Sequence, residues 1–444
     1  MSRTLGACRF VNAFLRIQPV EETRRTAKRW AGLAILIVSA ACSQQEAAPL
    51  PEPKVLANYV SVARKGAFPR WVEGRGGRQL TWIREDGPVS ALHWNTVRGV
   101  SVEGRAVATG QDWFVNWADR PVGGVDPSGA RIATWLVKNG ESTYAYEVVF
   151  AIRPRYGSWS SPRPLHQDRS ATEHGFVSLV ALDSGWCGVW LDGRHSGAGG
   201  HDGGGEGHDN GHAGAMMLLT RTIAADGELG PEVRLDGRVC DCCPTDATRL
   251  DDGTVVVVYR DRGLDERRDI AVVRGVPENP RSWTEPERLH DDGWVIAGCP
   301  VNGPAIDSDG QRVAVAWFTL GDSGRARVNV ALSVDGGRTF AAPIEVDHGD
   351  PVGRVDLTFL PRAEGTDVLV VSWLEGDGWW LVRGLAVEAV LRPGPTMSLC
   401  TTSTERRSGI LQLARSAMGV SAAWTVPTDD EVRVWIADLS VRFP

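Results

Sequence analysis

Lysine and tyrosine are scarce in this 444-residue sequence, which has four lysines among 48 basic residues and five tyrosines beside 18 tryptophans. A surplus of positive charge is also missing, because 55 acidic residues give a formal net charge of -7. Proteins that bind nucleic acid usually carry a basic surplus, so this balance argues against that class. We therefore expect no nucleic-acid partner, and we expect a monomer.

Helical periodicity is missing as well. No segment shows a sustained 3.6-residue pattern of apolar residues, so helices should be few. The 51 glycines and 25 prolines follow no three-residue period, which excludes a collagen-like chain and indicates many tight turns. With 42% hydrophobic residues, the chain is too apolar to be disordered. Its length allows two or three ordinary domains or one large unit.

The N-terminal segment has the pattern of a secretory signal. Basic residues within 24–29 precede an apolar run over 31–38, which is too short to span a bilayer, and small residues at 39–41 lead to Cys42. Cys42 and the polar residues after it resemble the lipobox of bacterial lipoproteins, which implies lipidation of Cys42. A plain signal peptide is the alternative, because Ser39 replaces the usual leucine. We expect an exported protein, anchored in a membrane in the periplasm or at the cell surface, with a signal over 1–42, a flexible tether over 43–58 and a folded body over 59–444.

A short apolar run that ends in an aromatic residue recurs seven times, with 51 to 69 residues between successive copies. The seven aromatic residues are Trp82, Trp135, Trp190, Tyr259, Trp317, Trp373 and Trp424. Turns and further apolar runs between the copies indicate four short strands per unit, which is the pattern of a β-propeller. We predict an all-β propeller of four-stranded antiparallel blades, with seven blades favoured over six. The region 55–63 is expected to supply the outer strand of the last blade, which hides an open sheet edge.

One segment, Ser-Val-Asp-Gly-Gly-Arg-Thr-Phe at 333–340, matches the Asp-box pattern Ser-x-Asp-x-Gly-x-Thr-Trp/Phe through Ser333, Asp335, Gly337, Thr339 and Phe340. This pattern predicts a hairpin turn in which the aspartate accepts backbone N–H bonds and the glycines take positive φ. On these residues the region 59–444 resembles the sialidase-like, or BNR-repeat, propeller family, whose members are commonly described as exo-α-sialidases. The resemblance implies the fold and, for an enzyme, a glycoside hydrolase of sialidase type.

The catalytic pattern of that family is incomplete in this sequence. The resemblance implies three arginines for the substrate carboxylate, an aspartate acid/base, and a glutamate-activated tyrosine nucleophile late in the chain. No tyrosine follows Tyr259, and Phe68-Pro69-Arg70 is the nearest approach to the family's Arg-Ile-Pro motif. We carry over the fold and the turn motif, but no catalytic residue.

Blade symmetry predicts a ligand site where the loops that enter the innermost strands converge around the central channel. Loops between the second and third strands open on the same face. Guanidinium groups there suit carboxylates and phosphates, so we expect an anionic or glycan ligand. The candidate ligand-binding residues are Asn116, Trp117, Arg194, Arg260, Arg262, Asn302 and Arg354. The alternative is arginine–aspartate pairing within the loops, through Asp192, Asp261 and Asp356.

Cysteines and histidines on the same loops form a second candidate, a copper or zinc site, because thiolates and imidazoles suit these metals. Its residues are Cys240, Cys242, Cys243, Cys299 and His174, with His201, His208 and His212 from a Gly- and His-rich insertion. The alternative is disulfide bonding. Six cysteines remain in the mature chain, so three bridges are possible in an oxidising compartment, for example Cys243 to Cys299.

Acid/base catalysis by Glu173, His174 and Asp356 is a third candidate, because glycoside hydrolysis needs two carboxyl groups about 5 to 9 Å apart. His174 has a buried structural role as its alternative. The sequence thus predicts a lipoprotein propeller that binds an anionic or glycan ligand on its axial face. An exo-sialidase or other glycoside hydrolase, and a Cu- or Zn-binding envelope protein, stay open as alternatives.

Overall fold

The computed structural model describes residues 60–439 except 73–77, 99–100, 197–213, 348, 363–364, 417–418 and 429–430. Cys42, His201, His208 and His212, with the predicted signal and tether, lie outside the described residues. Within the described part, regular structure consists of β-strands and one short 3-10 helix, Arg406–Ser408. No helix of the described part is long and apolar enough to cross a membrane.

The strands form seven four-stranded antiparallel sheets, which confirms the prediction of a seven-bladed propeller. Blade 1 contains β2 (Gly66–Val72), β3 (Gln79–Asp86), β4 (Val89–Arg98) and β5 (Ser101–Gly110). Blade 2 contains β6 (Val122–Val125), β7 (Arg131–Lys138), β8 (Tyr146–Arg153) and β9 (Arg163–Pro164). Blade 3 contains β10 (His174–Ala181), β11 (Trp186–Asp192), β12 (Met216–Ile223) and β13 (Val233–Val239). Blade 4 contains β14 (Asp246–Arg249), β15 (Val255–Arg260), β16 (Ile270–Gly275) and β17 (Glu287–Arg288).

The remaining blades follow the same plan. Blade 5 contains β18 (Ala305–Asp309), β19 (Arg312–Thr319), β20 (Arg327–Ser333) and β21 (Ile344–Glu345). Blade 6 contains β22 (Pro351–Leu360), β23 (Val368–Glu375), β24 (Trp379–Val387) and β25 (Leu391–Thr401). Blade 7 contains β26 (Gln412–Ser416), β27 (Gly419–Pro427), β28 (Val432–Leu439) and, as its outer strand, β1 (Val60–Arg64). The predicted ring closure by the N-terminal strand is therefore confirmed.

The seven repeated aromatic residues lie on the second strand of each blade and are buried. They pack in hydrophobic clusters of the blades, which is where most of the folding free energy of such a molecule comes from. Three of the tryptophans also donate their indole N–H to a carboxylate, which is at the end of the same strand for Trp190 and Trp373 and in a loop for Trp317. Trp190 bonds to Asp192 at 2.9 Å, Trp317 to Asp292 at 2.6 Å and Trp373 to Glu375 at 2.7 Å.

Aspartates on or just before the innermost strands join neighbouring blades around the axis. Each carboxylate accepts a hydrogen bond from a backbone N–H of the next blade. It takes the place of the main-chain carbonyl that a neighbouring strand would supply in a continuous sheet. The pairs are Phe176 N to Asp119 (2.8 Å), Ile306 N to Asp246 (3.0 Å), Phe359 N to Asp307 (2.7 Å) and Leu413 N to Asp356 (2.6 Å).

The predicted Asp-box segment forms the turn between the third and fourth strands of blade 5. Asp335 Oδ1 accepts from the N–H groups of Arg338 and Thr339 at 3.0 and 2.9 Å, and Gly336 and Gly337 have φ of 72° and 76°. Partial burial opposes ionisation, but the hydrogen bonds from Thr339 and Ser333 lower the pKa of Asp335 to about 2. The turn lies at the end of the strands opposite the candidate site.

Candidate functional site

Two sets of loops lie at one end of the strands and define what we call the entry-loop face. One set enters the innermost strands and the other joins the second and third strands of each blade. The two sets touch directly, since Asn139 Nδ2 of the second set donates to Ser170 O of the first at 3.0 Å. Every sequence-predicted binding, catalytic or metal residue that the structure describes lies on or next to this face.

Two of the predicted anion-binding arginines donate to main-chain carbonyls, although Arg354 Nε has no hydrogen-bond partner among the described residues. Arg260 is buried and donates to the carbonyls of Asn302, Arg268 and Phe318 at 2.6 to 2.8 Å. Arg354 is likewise buried and donates to the carbonyls of Glu405 (3.0 Å), Gly409 (3.3 Å) and Thr404 (2.7 Å). The Arg354 guanidinium also lies 4.6 Å from the ring centre of Trp117. These two arginines and Trp117 hold loops together.

The other two predicted arginines pair with acids. Arg194 makes two hydrogen bonds to Asp192, at 2.6 and 2.7 Å, and lies 3.0 Å from Glu232. Arg262 bonds Asp241 at 3.0 Å and Glu266 at 2.9 Å. These two arginines therefore form ion pairs within the loops, which is the alternative that the sequence left open. Their partners are Asp192, Asp241 and Glu266, and not Asp261 or Asp356.

The two predicted asparagines also bond to the main chain. Asn116 Oδ1 accepts from Ala118 N at 2.9 Å, and Asn302 bridges blades by accepting from Arg354 N (2.9 Å) and donating to Val352 O (3.1 Å). Because the side-chain oxygen of each residue accepts an internal N–H, both asparagines shape the entry-loop face from within.

The predicted catalytic residues fall into two places. Glu173 Oε1 accepts a 2.5 Å hydrogen bond from Tyr146 Oη, and His174 stacks on His166 with ring centres 3.9 Å apart. His174 Nε2 lies 3.0 Å from Asp168 and its Nδ1 lies 3.1 Å from Thr172 O, so the ring is held between blades 2 and 3. Asp356, by contrast, sits on blade 6 and bonds to blade 7.

Tyr146 was not singled out from the sequence, because its position on the third strand of blade 2 carries no motif. Its side chain is fully buried and stacks on Phe114 at 4.2 Å. Burial, together with the neighbouring Glu173 and Asp119, raises the pKa of Tyr146 well above its usual value. A buried, protonated phenol that already donates to a carboxylate is a poor nucleophile.

Five charged residues meet in the axial channel, and we call them the channel cluster: Arg70, Asp119, Arg120, Asp246 and Asp356. Arg70 reaches from blade 1 across the ring to blade 4, where its Nη2 lies 3.7 Å from Asp246 Oδ1. Arg120 is 8% exposed and makes one long bond, 3.4 Å to Ile410 O. Its Nε has no hydrogen-bond partner among the described residues, and neither has Asp119 Oδ2.

The channel shifts the protonation equilibria of its members. Burial raises the pKa of Asp119 well above its usual value, raises that of Asp246, and brings that of Asp356 to about 7. Burial, and then the charge of Arg70, lowers the pKa of Arg120 to about 9. The channel therefore combines two guanidinium groups with carboxyl groups of which some are protonated near neutrality. Of these five residues only Asp356 was predicted from the sequence; Arg70 lies in the segment nearest to the family's Arg-Ile-Pro motif but was not carried over, and no signal marked Asp119, Arg120 or Asp246.

Three cysteines between blades 3 and 4 form what we call the thiol cluster: Cys240, Cys242 and Cys243. Their sulfur atoms all lie within 4.8 Å of one another. Cys240 Sγ and Cys243 Sγ are 2.9 Å apart, and all six cysteines in the described part are free thiols rather than disulfides. Cys299 touches the cluster through Cys242. His174 is not part of it, because its contacts are to Thr172, Asp168 and Asp192 on the other side of blade 3.

No protein-family model and no curated protein sequence matches the chain. Solved structures do match, among them the BP39L lectin from Burkholderia pseudomallei, with a TM-score of 0.54 and 12% identity over 85% of this chain and 98% of that one. A protein of unknown function from Dyadobacter fermentans DSM 18053 has a TM-score of 0.46 and 13% identity, covering 88% of this chain and all of the other. Trypanosoma rangeli sialidase in complex with the inhibitor DANA has a TM-score of 0.46 and 12% identity, and the match covers 86% of this chain and 59% of the sialidase. At 12% identity the similarity to the lectin structure is one of fold alone.

Proposed function

We propose that this protein binds an acidic sugar, or a comparable small hydroxylated carboxylate, at the mouth of its axial channel. The observation that carries the proposal is the state of Arg120. Its guanidinium is buried, yet it makes a single long hydrogen bond and its Nε has no partner among the described residues. Leaving a buried charged donor unbonded is costly, and a bound carboxylate would supply the missing acceptor.

The rest of the channel cluster suits a hydroxylated ligand. Arg70 shares the channel with Arg120, and among the described residues its guanidinium is held by a 3.7 Å contact to Asp246, so its donors can turn to a second oxygen of the ligand. Asp119 Oδ2 has no hydrogen-bond partner among the described residues, so it can bond a hydroxyl of the ligand. Planar donors beside carboxyl groups match the mixed donors and acceptors of a sugar acid.

Binding without hydrolysis is the function that these residues support best. Tyr146 and Glu173 on this face are both buried, and the tyrosine hydroxyl donates a 2.5 Å hydrogen bond to the glutamate. The arginines predicted for substrate, such as Arg260 and Arg354, donate to main-chain carbonyls of neighbouring loops. Among the described residues of this face, the Tyr146 hydroxyl is already bonded and is not available as a nucleophile, which favours binding over the hydrolase alternative.

Export and lipid anchoring belong to the same proposal, supported by the sequence pattern that ends at Cys42. On this account the ligand is captured outside the cytoplasm. Metabolic labelling with a palmitate analogue should mark the full chain and not its Cys42→Ser variant. A labelled Cys42→Ser variant, or unlabelled wild type, would reject the anchor without affecting the channel proposal.

Calorimetric titration with N-acetylneuraminic acid, glucuronic acid and galacturonic acid tests the binding site. At least one acid should bind, and Arg70→Gln should weaken it about 10- to 100-fold, the effect of losing one charge-assisted hydrogen bond. Arg415→Gln is the matched control, because Arg415 bonds Asp307 on the innermost strand beyond the cluster. Equal affinities for the two variants, or no binding of any acid, would contradict the proposal.

A further inference from the structure

A second site lies on the same face, independent of the channel cluster. Cys240, Cys242 and Cys243 occupy the short entry loop between β13 and β14, where their sulfur atoms converge within 4.8 Å. Cys299 reaches the cluster from the next entry loop, through its contact with Cys242. Two adjacent blades thus bring four thiol groups to one place, although 56 residues separate Cys243 from Cys299 in the sequence.

The surrounding chain holds this arrangement in place. Cys240 N donates to Arg260 O at 3.0 Å, which fixes the first cysteine to the end of β15. Gly303 lets the Cys299 loop approach, because a Cβ at that position would lie 2.0 Å from Pro244 O. Arg260 Nε then bonds Asn302 O at 2.8 Å and anchors the same loop. The cluster is therefore built by both loops and does not depend on a chance contact of surface thiols.

Positive charge lies directly behind the sulfur atoms. The buried Arg268 donates from Nη1 to Cys240 Sγ at 3.3 Å and from Nη2 to Glu266 at 2.8 Å. The nearest carboxylates, Asp241 and Glu266, are already bonded to Arg262 and Arg268. The nearby carboxylate oxygens are therefore already paired with arginines, whereas the sulfur atoms converge on one point. A set of thiolates whose charge is balanced by guanidinium groups selects soft metal ions.

We propose that Cys240, Cys242 and Cys243 bind one thiophilic metal ion, Cu(I) in preference to Zn(II), with Cys299 as an outer fourth ligand. Cys240 and Cys243 are buried, Cys242 is half-buried and Cys299 is exposed, so the enclosed set has three sulfur atoms. Structural zinc is almost always four-coordinate, whereas thiolates also select Cu(I). A disulfide joins only two sulfur atoms, and it does not account for the convergence of three.

The test is a metal titration of the full chain, purified reduced and without oxygen, with Cu(I) competed against bathocuproine disulfonate and Zn(II) against a chromogenic chelator. One equivalent of Cu(I) should bind, with only sulfur neighbours in its X-ray absorption spectrum. The Cys242→Ser/Cys243→Ser variant should lose at least about 100-fold in affinity. Cys187→Ser/Cys400→Ser is the matched control, because both residues lie outside the cluster, and it should bind like the wild type.

A Cys299→Ser variant in the same titration tests the role of Cys299 as the outer ligand. Cys299→Ser should keep Cu(I) affinity within about 10-fold and lose four-sulfur binding of Zn(II). Tighter Zn(II) than Cu(I) binding by the wild type would overturn the metal preference. Equal Cu(I) affinity in wild type and in Cys242→Ser/Cys243→Ser would overturn the site.

A measurement on the unmodified chain covers the case in which a cysteine variant fails to fold. Cu(I) should protect Cys242 and Cys299 from alkylation by iodoacetamide and leave Cys400 unprotected, as read by mass spectrometry. Equal alkylation with and without Cu(I) would overturn the site. A Cys240–Cys243 disulfide that resists reduction and leaves the protein without bound metal would also overturn it.

Discussion

Arginine side chains hold the loops of this protein by donating to main-chain carbonyls. Arg260 and Arg354 each bond three carbonyl oxygens, and Arg221 bonds those of Leu165 and Gly230. A guanidinium group offers five N–H donors in a fixed plane, which an ammonium group does not. A fold with long, irregular entry loops has many such carbonyls to satisfy. This requirement gives a physical reason for 44 arginines beside four lysines among the 48 basic residues.

Asp356 gives a pH prediction at the residue scale. Burial raises its pKa to about 7 in the folded protein, above the usual value of about 4. The folded state therefore holds this proton more tightly than the unfolded state, and the free energy of unfolding should fall as pH rises from about 4 to about 7. Asp356→Asn keeps an acceptor for Leu413 N and removes the titration. Between pH 5 and 8 the wild type should lose about 2–3 kcal/mol more than the variant in urea unfolding.

The control for this prediction is Asp307→Asn, because Asp307 makes the corresponding bond to Phe359 N in the neighbouring pair of blades. It shows what the same exchange of a carboxylate for an amide does to the strength of this bond between blades. If the pH profile of Asp356→Asn ran parallel to that of the wild type, the proton on Asp356 would not contribute to folding.

At the scale of the element, ring closure depends on one N-terminal strand. β1 pairs with β28 through Val60 to Ile436 and Arg64 to Arg433, and it completes blade 7. Without β1, the edge of β28 would be open to solvent and to other chains. Closure also fixes blade 1 against blade 7, because β2 contacts β26 and β27.

Removing β1 should therefore destabilise the whole ring. A chain that begins at residue 66 should melt about 5–10 °C lower than one that begins at residue 55, and it should self-associate. Differential scanning calorimetry and size-exclusion chromatography measure the two effects. Equal melting temperatures would show that blade 7 is stable with three strands and that β1 only covers it.

The internal repeat allowed the strands of each blade to be predicted from the sequence. The aromatic residue on each second strand, such as Trp317, recurs at nearly constant spacing, because every blade must fill the same wedge beside its neighbour. That spacing favoured seven blades over six, and the runs between the aromatic residues indicated four strands in each blade. The pairing of Arg194 with Asp192 was foreseen as an alternative, because their separation of two residues already allows contact.

At the scale of the whole molecule, the channel cluster could not be read in this way. Arg70, Arg120, Asp246 and Asp356 come from four different blades and meet only when the ring closes. Spacing along the chain gives the blade of each residue, but not whether its side chain crosses the axis or turns to the next blade. Arg354 shows the limit, because its left-handed backbone, with φ of 57°, turns it toward the carbonyls of blade 7.

The same limit applies to the thiol cluster. The spacing of Cys240, Cys242 and Cys243 already placed three sulfur atoms in one loop, and blade symmetry placed Cys299 on the same face. The exclusion of His174 depended on its hydrogen bonds to Thr172 and Asp168, which no spacing shows. The grouping of cysteines within one loop could therefore be predicted from the sequence. Which residues of neighbouring blades contact one another could be learned only from the folded ring.

On the proposed function, this propeller binds an acidic sugar in its axial channel and leaves the glycosidic bond intact. Saturation-transfer-difference NMR on a mixture of acidic-sugar glycosides, followed for a day, reports both events in one sample. We expect transfer to at least one glycoside, loss of that transfer in Arg70→Gln, and no free sugar acid at any time. Release of free sugar acid, or transfer that is unchanged in Arg70→Gln, would contradict the account.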